Sequence, residues 1–323
     1  MDLSGILSYL ISFAIMAGIY AIFALGLNVQ WGYTGLFNIG IAGFFAIGAY
    51  TSALVTTQMP TGIYAQYVQQ LIGLNLPFVV GLLAAAVVSG FIAFLIGFPT
   101  LRLREDYLAI ATIGIAETIR LIFNNERWLA NGPRGLMGLP QPLRDLVEPS
   151  VYNYLYLGIV LLVMIIIYVA IERAIRSPWG RVLRAIREDE DSTAMSGKNV
   201  FAFKMQALVL GAMIMGIGGS LYAHYARAIS PDVFTPLFGT FIIWVMLMLG
   251  GSGNNKGAIL GAFVIWGVWT GSTFVTDQLL PPVLASRAPY IRFLVIGILL
   301  EVILLLRPQG LLGEEKQVSK LLD

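Results

Sequence analysis

Residues Glu172–Lys204 read ERAIRSPWGRVLRAIREDEDSTAMSGKNVFAFK, the one long charged passage in a chain that is otherwise almost wholly apolar. The passage holds 7 of the 20 lysines and arginines, with Glu172, Glu188, Asp189, Glu190 and Asp191 beside them. Apolar stretches long enough to cross a bilayer flank it on both sides, so it lies in water beside the membrane. Ser177 suits a helix N-cap and Pro178 a first helical position, and Trp179, Val182, Leu183 and Ile186 follow the spacing of one apolar face. That spacing leaves Arg181, Arg184 and Arg187 for the other side. A second short helix is expected from Glu188 to Ser196, because acidic residues favour a helix N-terminus and Gly197 can close the other end in the left-handed conformation. Two short amphipathic helices between membrane spans form a docking platform.

Composition sets the class. Of the 323 residues 58% are hydrophobic and 12% charged, mean hydropathy is +0.80, and soluble proteins carry only about 45–50% apolar residues. The chain therefore reads as an all-α polytopic membrane protein, one transmembrane domain over 1–323 with the charged loop at 172–204. A net charge of +2, with its basic residues scattered to membrane edges, excludes a nucleic-acid partner. There is no cysteine and a single histidine, His224, which removes disulfides, cysteine metal sites and multi-histidine sites. No cofactor is expected on this chain. The start, MDLSG, has Asp2 and no basic flank, and reads as leading into a permanent span.

Nine segments approach the length and apolarity of a transmembrane helix: Ile6–Leu27, Gly35–Thr56, Pro77–Phe98, Asp106–Phe123, Val151–Ile171, Met205–Ala226, Leu237–Leu249, Gly257–Thr276 and Pro289–Leu306. The fourth carries Glu117 and Arg120, and the seventh is short behind Pro236, so either could be re-entrant or partly unwound. Basic residues divide unequally between the loops. Arg102, Arg104, the seven of the central passage, Lys256, Arg307, Lys316 and Lys320 make 13 on one side, against Arg127, Arg134, Arg144, Arg227 and Arg287 on the other. The positive-inside rule then puts the C-terminus and central loop in the cytoplasm and the N-terminus outside.

Three other stretches carry information. Leu27–Gly40, LNVQWGYTGLFNIG, and the IAGFFAIGAYTSAL that follows are too rich in glycine and amides for an ordinary lipid-facing span. They serve either tight helix packing or a broken backbone beside a solute path, with Tyr33 and Asn38 as pathway candidates. Glu117 and Arg120, three apart on a helix, can pair inside the membrane, where an isolated charge costs at least about 2.5–3.5 kcal/mol. They serve either as a structural pair or in transport. Gly250–Ala262, GGSGNNKGAILGA, has no G-x-x-x-x-G-K-[ST] match, so it is not a phosphate loop. Its Gly253, Gly257 and Gly261 open one helix face to a neighbour. His224 reads as a hydrogen-bonded structural residue, and Asn124–Ser150 is polar enough to form a surface for a partner.

These motifs together resemble the branched-chain amino acid permeases of ABC importers, the LivM type. The resemblance runs from about Leu27 to Gly313 and is carried by Leu27–Gly40, Leu101–Ile110, Gly180–Glu190 with Gly197, Gly250–Ala262 and the Arg307–Gly313 ending RPQGLLG. The chain departs from the family pattern at Ile41 (commonly His), Glu105 (commonly Gly) and Ala258 (commonly Pro), and its E-A-A-x-x-x-G pattern is degenerate. The resemblance implies a permease subunit for branched-chain or other neutral amino acids in the bacterial inner membrane, with urea as the alternative solute. It implies no enzyme activity on this chain, a second related permease subunit, two cytoplasmic ATP-binding subunits and a periplasmic substrate-binding protein. Glu190, Asp191, Ser192, Thr193, Ala194 and Gly197 would then contact an ATPase. An ion-coupled secondary transporter would need an ion site, for which the spans offer only Glu117 and Glu301. An intramembrane hydrolase would have to work with one histidine and no paired aspartates.

Overall fold

A computed structural model describes residues 3–149, 151–279 and 287–314; Asp2, Ser150, Lys316 and Lys320 lie outside them. The order is α1 (Leu3–Leu27), α2 (Ile41–Thr56), α3 (Phe78–Thr100), α4 (Glu105–Asn125), α5 (Arg127–Ala130), α6 (Tyr152–Arg176), α7 (Pro178–Glu188), α8 (Glu190–Met195), α9 (Val200–Ala226), α10 (Ile242–Gly250), α11 (Asn255–Leu279) and α12 (Ala288–Leu306). Each of the nine apolar segments falls on a helix. Among the described residues, four helices are long and apolar enough to cross a membrane: Gly5–Gly32, Phe78–Thr100, Tyr152–Arg176 and Val200–Ala226. The second segment becomes helical only at Ile41, and the seventh is the short α10 behind a π-turn at Leu237–Phe241. The fourth is an unbroken helix of 21 residues.

The packing is that of a membrane protein, with small side chains inside and large ones outside. Along α3 the buried positions include Gly81, Ala85, Ser89, Ala93 and Gly97, while Val79, Leu83, Val87 and Phe91 stand exposed on the opposite face. In water that outer face would drive association. In lipid it loses nothing, and the small face lets backbones approach closely. Helix α9 packs on α1, α2 and α3, α1 also packs on α6 and α11, α10 and α12 pack on α11, and α4 packs on α2. One close backbone approach is at Gly216 of α9. A methyl group there would lie 2.6 Å from the Ala85 carbonyl oxygen and against Ser89, and one on Gly48 of α2 would meet the Gly216 backbone. Gly257 and Gly261 seat α11 on the end of α10 in the same way, as their spacing implied.

Loops gather at two ends. At the charged end, Arg102 lies over the rings of Phe98 and Phe201, at 5.2 and 5.9 Å, and the backbone N–H groups of Leu311 and Leu312 donate to the carbonyls of Leu249 and Gly250. At the opposite end Leu71 donates to Leu129 and Leu139 to Arg227, and a two-stranded antiparallel ribbon pairs β1 (Leu136–Met137) with β2 (Ala228–Ile229).

The charged passage folds as two helices, with two corrections. Ser177 caps α7, its hydroxyl accepting from the Trp179 N–H at 3.2 Å, and Leu183 and Ile186 are buried. The second helix starts at Glu190 rather than Glu188, because Asp189 takes an extended conformation and caps it, accepting from the Ser192 N–H at 2.8 Å. That bond holds the Asp189 carboxyl below its ordinary range. Of the three arginines assigned to the water face only Arg181 is exposed. Arg184 and Arg187 turn back onto the membrane domain, where unpaired carbonyls draw them in: Arg184 donates to Ile175 at 2.9 Å and Arg187 to Gly32.

The Gly216 contact generates a test. Gly216→Val should lower the thermal unfolding midpoint in detergent, since overpacking costs about 1–3 kcal/mol. Gly158→Val, on an exposed helix face with nothing within 4 Å, should leave it unchanged. Equal midpoints would show that the α2, α3 and α9 contact yields freely.

Candidate functional site

Two breaks in the helices meet inside the bundle. Beyond Leu27 the chain turns as a π-helix over Asn28–Gly32, passes Gly35 at φ +76° and runs without helix to Gly40. The second break is the π-turn Leu237–Phe241. They touch where a methyl group on Gly239 would lie 2.7 Å from Ala42 Cβ, and where the Ala42 N–H donates to Thr240 Oγ1 at 3.1 Å.

Irregular backbone among apolar helices must find partners for its polar groups, and side chains of the segment itself and of α4 and α10 supply them. Asn38 is the hub. Its Nδ2 donates to Gln30 Oε1 at 2.8 Å, its Oδ1 accepts from the Gly40 N–H at 2.7 Å, and its carbonyl accepts from Trp244 Nε1 at 3.1 Å. Gln30 in turn donates to the Leu208 carbonyl on α9, and Thr112 of α4 accepts from the Ile39 N–H. Along 35–40 the residues alternate: Leu36, Asn38 and Gly40 are buried, while Gly35, Phe37 and Ile39 are half-buried. The segment thus presents one face to its surroundings. Trp31, Phe37 and Trp244 pack their rings tilted or edge-to-face about it, with centroids 5.1–5.3 Å apart.

A second network ties the break to the charged end. Asn28 accepts from the Gly253 N–H at 2.9 Å and donates to Asn255 Oδ1 at 3.0 Å, and Asn255 donates to Glu172 Oε2 at 2.9 Å. The glycine-rich stretches Leu27–Gly40 and Gly250–Ala262 are therefore joined through one asparagine. Two cavities open here. One of 720 Å³ is lined by Trp31, Arg184, Arg187, Glu188 and Glu314, and one of 350 Å³ by Tyr33, Glu172, Arg176 and Lys256.

At the opposite end His224 is fully buried. Its Nδ1 lies 2.7 Å from the Pro140 carbonyl and its Nε2 2.9 Å from Ser52 Oγ, which accepts from the Ser220 hydroxyl at 2.8 Å. A carbonyl can only accept, so Nδ1 donates to Pro140, and both ring nitrogens have a hydrogen-bond partner. Pro140 belongs to the wall of a 640 Å³ cavity that Gln58, Tyr67, Asn131 and Arg134 also line.

The residues singled out in the sequence do not form one site. Tyr33 and Asn38 are buried at the break, Asn38 with both ends of its amide occupied. Glu117 and Arg120 pair bidentately on α4, with side chains 36% and 18% exposed, and do not join them. Glu190 pairs with Lys204, Thr193 is buried and donates to the Asp189 carbonyl, and Asp191, Ser192 and Ala194 are exposed. Gly197 sits at φ +81° with nothing within 4 Å of the direction a side chain would take. Sequence reading missed Gln30, Thr112, Thr240, Asn255 and Glu314. The signal that could have found the first four is an amide or hydroxyl inside or at the mouth of an apolar span, which must have a partner.

Residues 9–304 match the family described as the branched-chain amino acid transport system permease component. The chain is 33% identical to the high-affinity branched-chain amino acid transport system permease protein LivM of Escherichia coli, over 96% of this chain and 72% of that protein. It is 29% identical to a probable branched-chain amino acid transport permease protein LivM of Methanocaldococcus jannaschii, over 94% and 92%. It is 22% identical to the permease protein LivH of Salmonella typhimurium, over 91% of each. No solved structure matches.

Proposed function

The chain belongs to the family of branched-chain amino acid transport permeases, and from that premise we propose that it is one membrane subunit of an ABC importer for branched-chain or other neutral amino acids. It moves solute without covalent chemistry of its own. The nine apolar helices span a bacterial inner membrane with the N-terminus outside, and the charged end faces the cytoplasm. The similarity to both LivM and LivH proteins supports pairing with a second, related permease subunit. Two ATP-binding subunits work on the cytoplasmic face, and a substrate-binding protein meets the opposite end at the loops around the 640 Å³ cavity.

The observation that carries the coupling assignment is the tip of the charged loop. Met195 is 88% exposed and Gly197 leaves open space beside it, so among the described residues α8 presents a bare, apolar-tipped surface. Glu190, Asp191, Ser192, Thr193, Ala194 and Gly197 form the contact with an ATPase. The solute path follows the unwound segment: Tyr33 lines the cytoplasmic cavity, Asn38 braces the segment, and Phe37 and Ile39 give it a face for an apolar side chain. The Glu117–Arg120 pair lies on the outer half of α4 and borders the path there.

Three measurements test this reading. Because the chain has no cysteine, Ser192→Cys should react with an impermeant thiol reagent only from the cytoplasm and Met137→Cys only from outside; reaction from one common side would refute the orientation. Gly197→Trp should leave the complex able to bind its loaded receptor but unable to couple it to ATP hydrolysis, since the left-handed conformation penalises a side chain by roughly 1–2 kcal/mol and the ring enters the subunit contact. Wild-type uptake with the ATPases still bound would return α8 to the role of a solvated connector. Glu117→Gln, which keeps shape and removes charge, should lower leucine uptake at equal expression; unchanged uptake would make the ion pair purely structural.

A further inference from the structure

In a continuing α-helix the carbonyl of Gly32 would accept from the N–H of residue 36. Here the Leu36 N–H donates instead to Gln30, at 2.8 Å, and the Gly32 carbonyl is left at the end of the broken helix. The donor that reaches it is Arg187 Nη1, from a residue 155 positions later on α7. The same guanidinium is held by Glu314 of the C-terminal tail, Nη2 to Oε2 at 2.8 Å, and by Glu188 at 2.9 Å. Two other segments close around it. A methyl group on Gly35 would lie 3.3 Å from Arg187 Cγ, and one on Gly253 would lie 3.2 Å from Arg187 Nη1 and 3.1 Å from the Glu314 carboxyl carbon. The broken helix end, the turn before α11, the C-terminal tail and the platform helix α7 therefore converge on one planar group.

Neither of the other α7 arginines can do this. Arg181 is exposed, and Arg184 donates to Ile175, whose helix leads directly into α7. A guanidinium presents its donors in a fixed fork, and a cation beside a helix C-terminus is favoured by the helix dipole. A shift of α7 by an ångström or so exceeds the roughly 0.5 Å range over which an N–H···O bond keeps its length, so it must drag the Gly32 carbonyl with it or break the bond.

We infer that Arg187, steadied by Glu314, is the positioning residue through which movement of the α7–α8 platform reaches the unwound segment Tyr33–Gly40. Arg187 touches neither solute nor nucleotide; it sets where the broken helix end lies. This rests on the importer reading, and the test separates the two.

The test uses the full complex with its ATPases, carrying Phe37→Cys as a reporter on the unwound segment. With Arg187 present, the rate at which a thiol reagent modifies the reporter should differ between the nucleotide-free complex and the complex with a non-hydrolysable ATP analogue. With Arg187→Met the ATPases should stay bound and basal ATP hydrolysis should persist, while the difference collapses and leucine uptake falls by roughly tenfold, the scale of losing a hydrogen bond to a charged group. Arg187→Lys, which keeps charge without the fork, should recover only part of the response; a merely structural cation would recover fully. Glu314→Gln, at the tail and outside the helix bundle, should reduce the nucleotide-dependent difference with yield unchanged, and it carries the test should Arg187→Met fail to assemble. A full response and full uptake in Arg187→Met or Glu314→Gln would overturn the inference while leaving the importer reading intact. A wild-type chain that binds no ATPase would overturn both.

Discussion

A backbone that crosses hydrocarbon must pair its own N–H and C=O groups, and this constraint organises the molecule around residues 28–40. A straight helix would meet it without help from any other segment. This chain instead breaks its first span, unwinds for several residues and starts again at Ile41. The polar groups so created are met partly by turns within the segment and partly by side chains, several of them from distant helices. Asn38, Gln30, Thr112, Thr240 and Trp244 meet those on the membrane side, and Asn28 and Arg187 those toward the charged end. The cost of leaving a buried amide unpaired, about 1–3 kcal/mol each, makes these contacts a set that stands or falls together.

The rest of the packing makes that set possible. With lipid outside there is no hydrophobic drive to bury large side chains, so the helices are held by close backbone approach. Gly48, Gly216 and Ser89 bring α2, α9 and α3 together, and α2 is buried along almost its whole length. A rigid α2 gives the unwound segment a fixed far end. Its near end, at Gly32, is tied to the charged end and α9 through Asn28, Gln30 and Arg187. The asymmetry suits a device that moves: one end is anchored in a glycine-packed helix cluster, and the other is tied by hydrogen bonds to a water-exposed platform.

The platform is a compact, capped unit. Its two helices are capped by Ser177 and Asp189, and the helix that follows by Asn199, whose side chain accepts from the Ala202 N–H at 3.1 Å. The inner face of α7 is apolar and buried, while α8, tied to α9 by the Glu190–Lys204 pair, leaves Met195 and Gly197 exposed at its end. Force applied at the tip acts on a stiff, capped unit whose polar contact with the broken helix is Arg187. In the importer proposed here, that is the distance between nucleotide chemistry on a partner and the path of the solute.

Local chemistry by itself determined a good deal about this protein. Hydropathy located all nine apolar helices, helical spacing marked Leu183 and Ile186 as the buried face of α7, and cap residues marked both platform helices. Gly197 could be assigned a left-handed turn because a short helix before it ended at a residue with no side chain. Each of these follows from interactions spanning a few residues, where spacing and geometry are tied together. Only the tertiary structure decided which way Arg184 and Arg187 point, because helical periodicity assigns a face from neighbours in sequence, while the carbonyls that claim these two side chains are freed by the end of α6 and by a broken helix 155 residues away. The same holds for Asn28 with Asn255, 227 residues apart, and for His224 with Pro140, 84 apart. A lone amide, imidazole or guanidinium in an apolar chain announces that it needs a partner; which partner it takes depends on what the fold brings within about 3 Å.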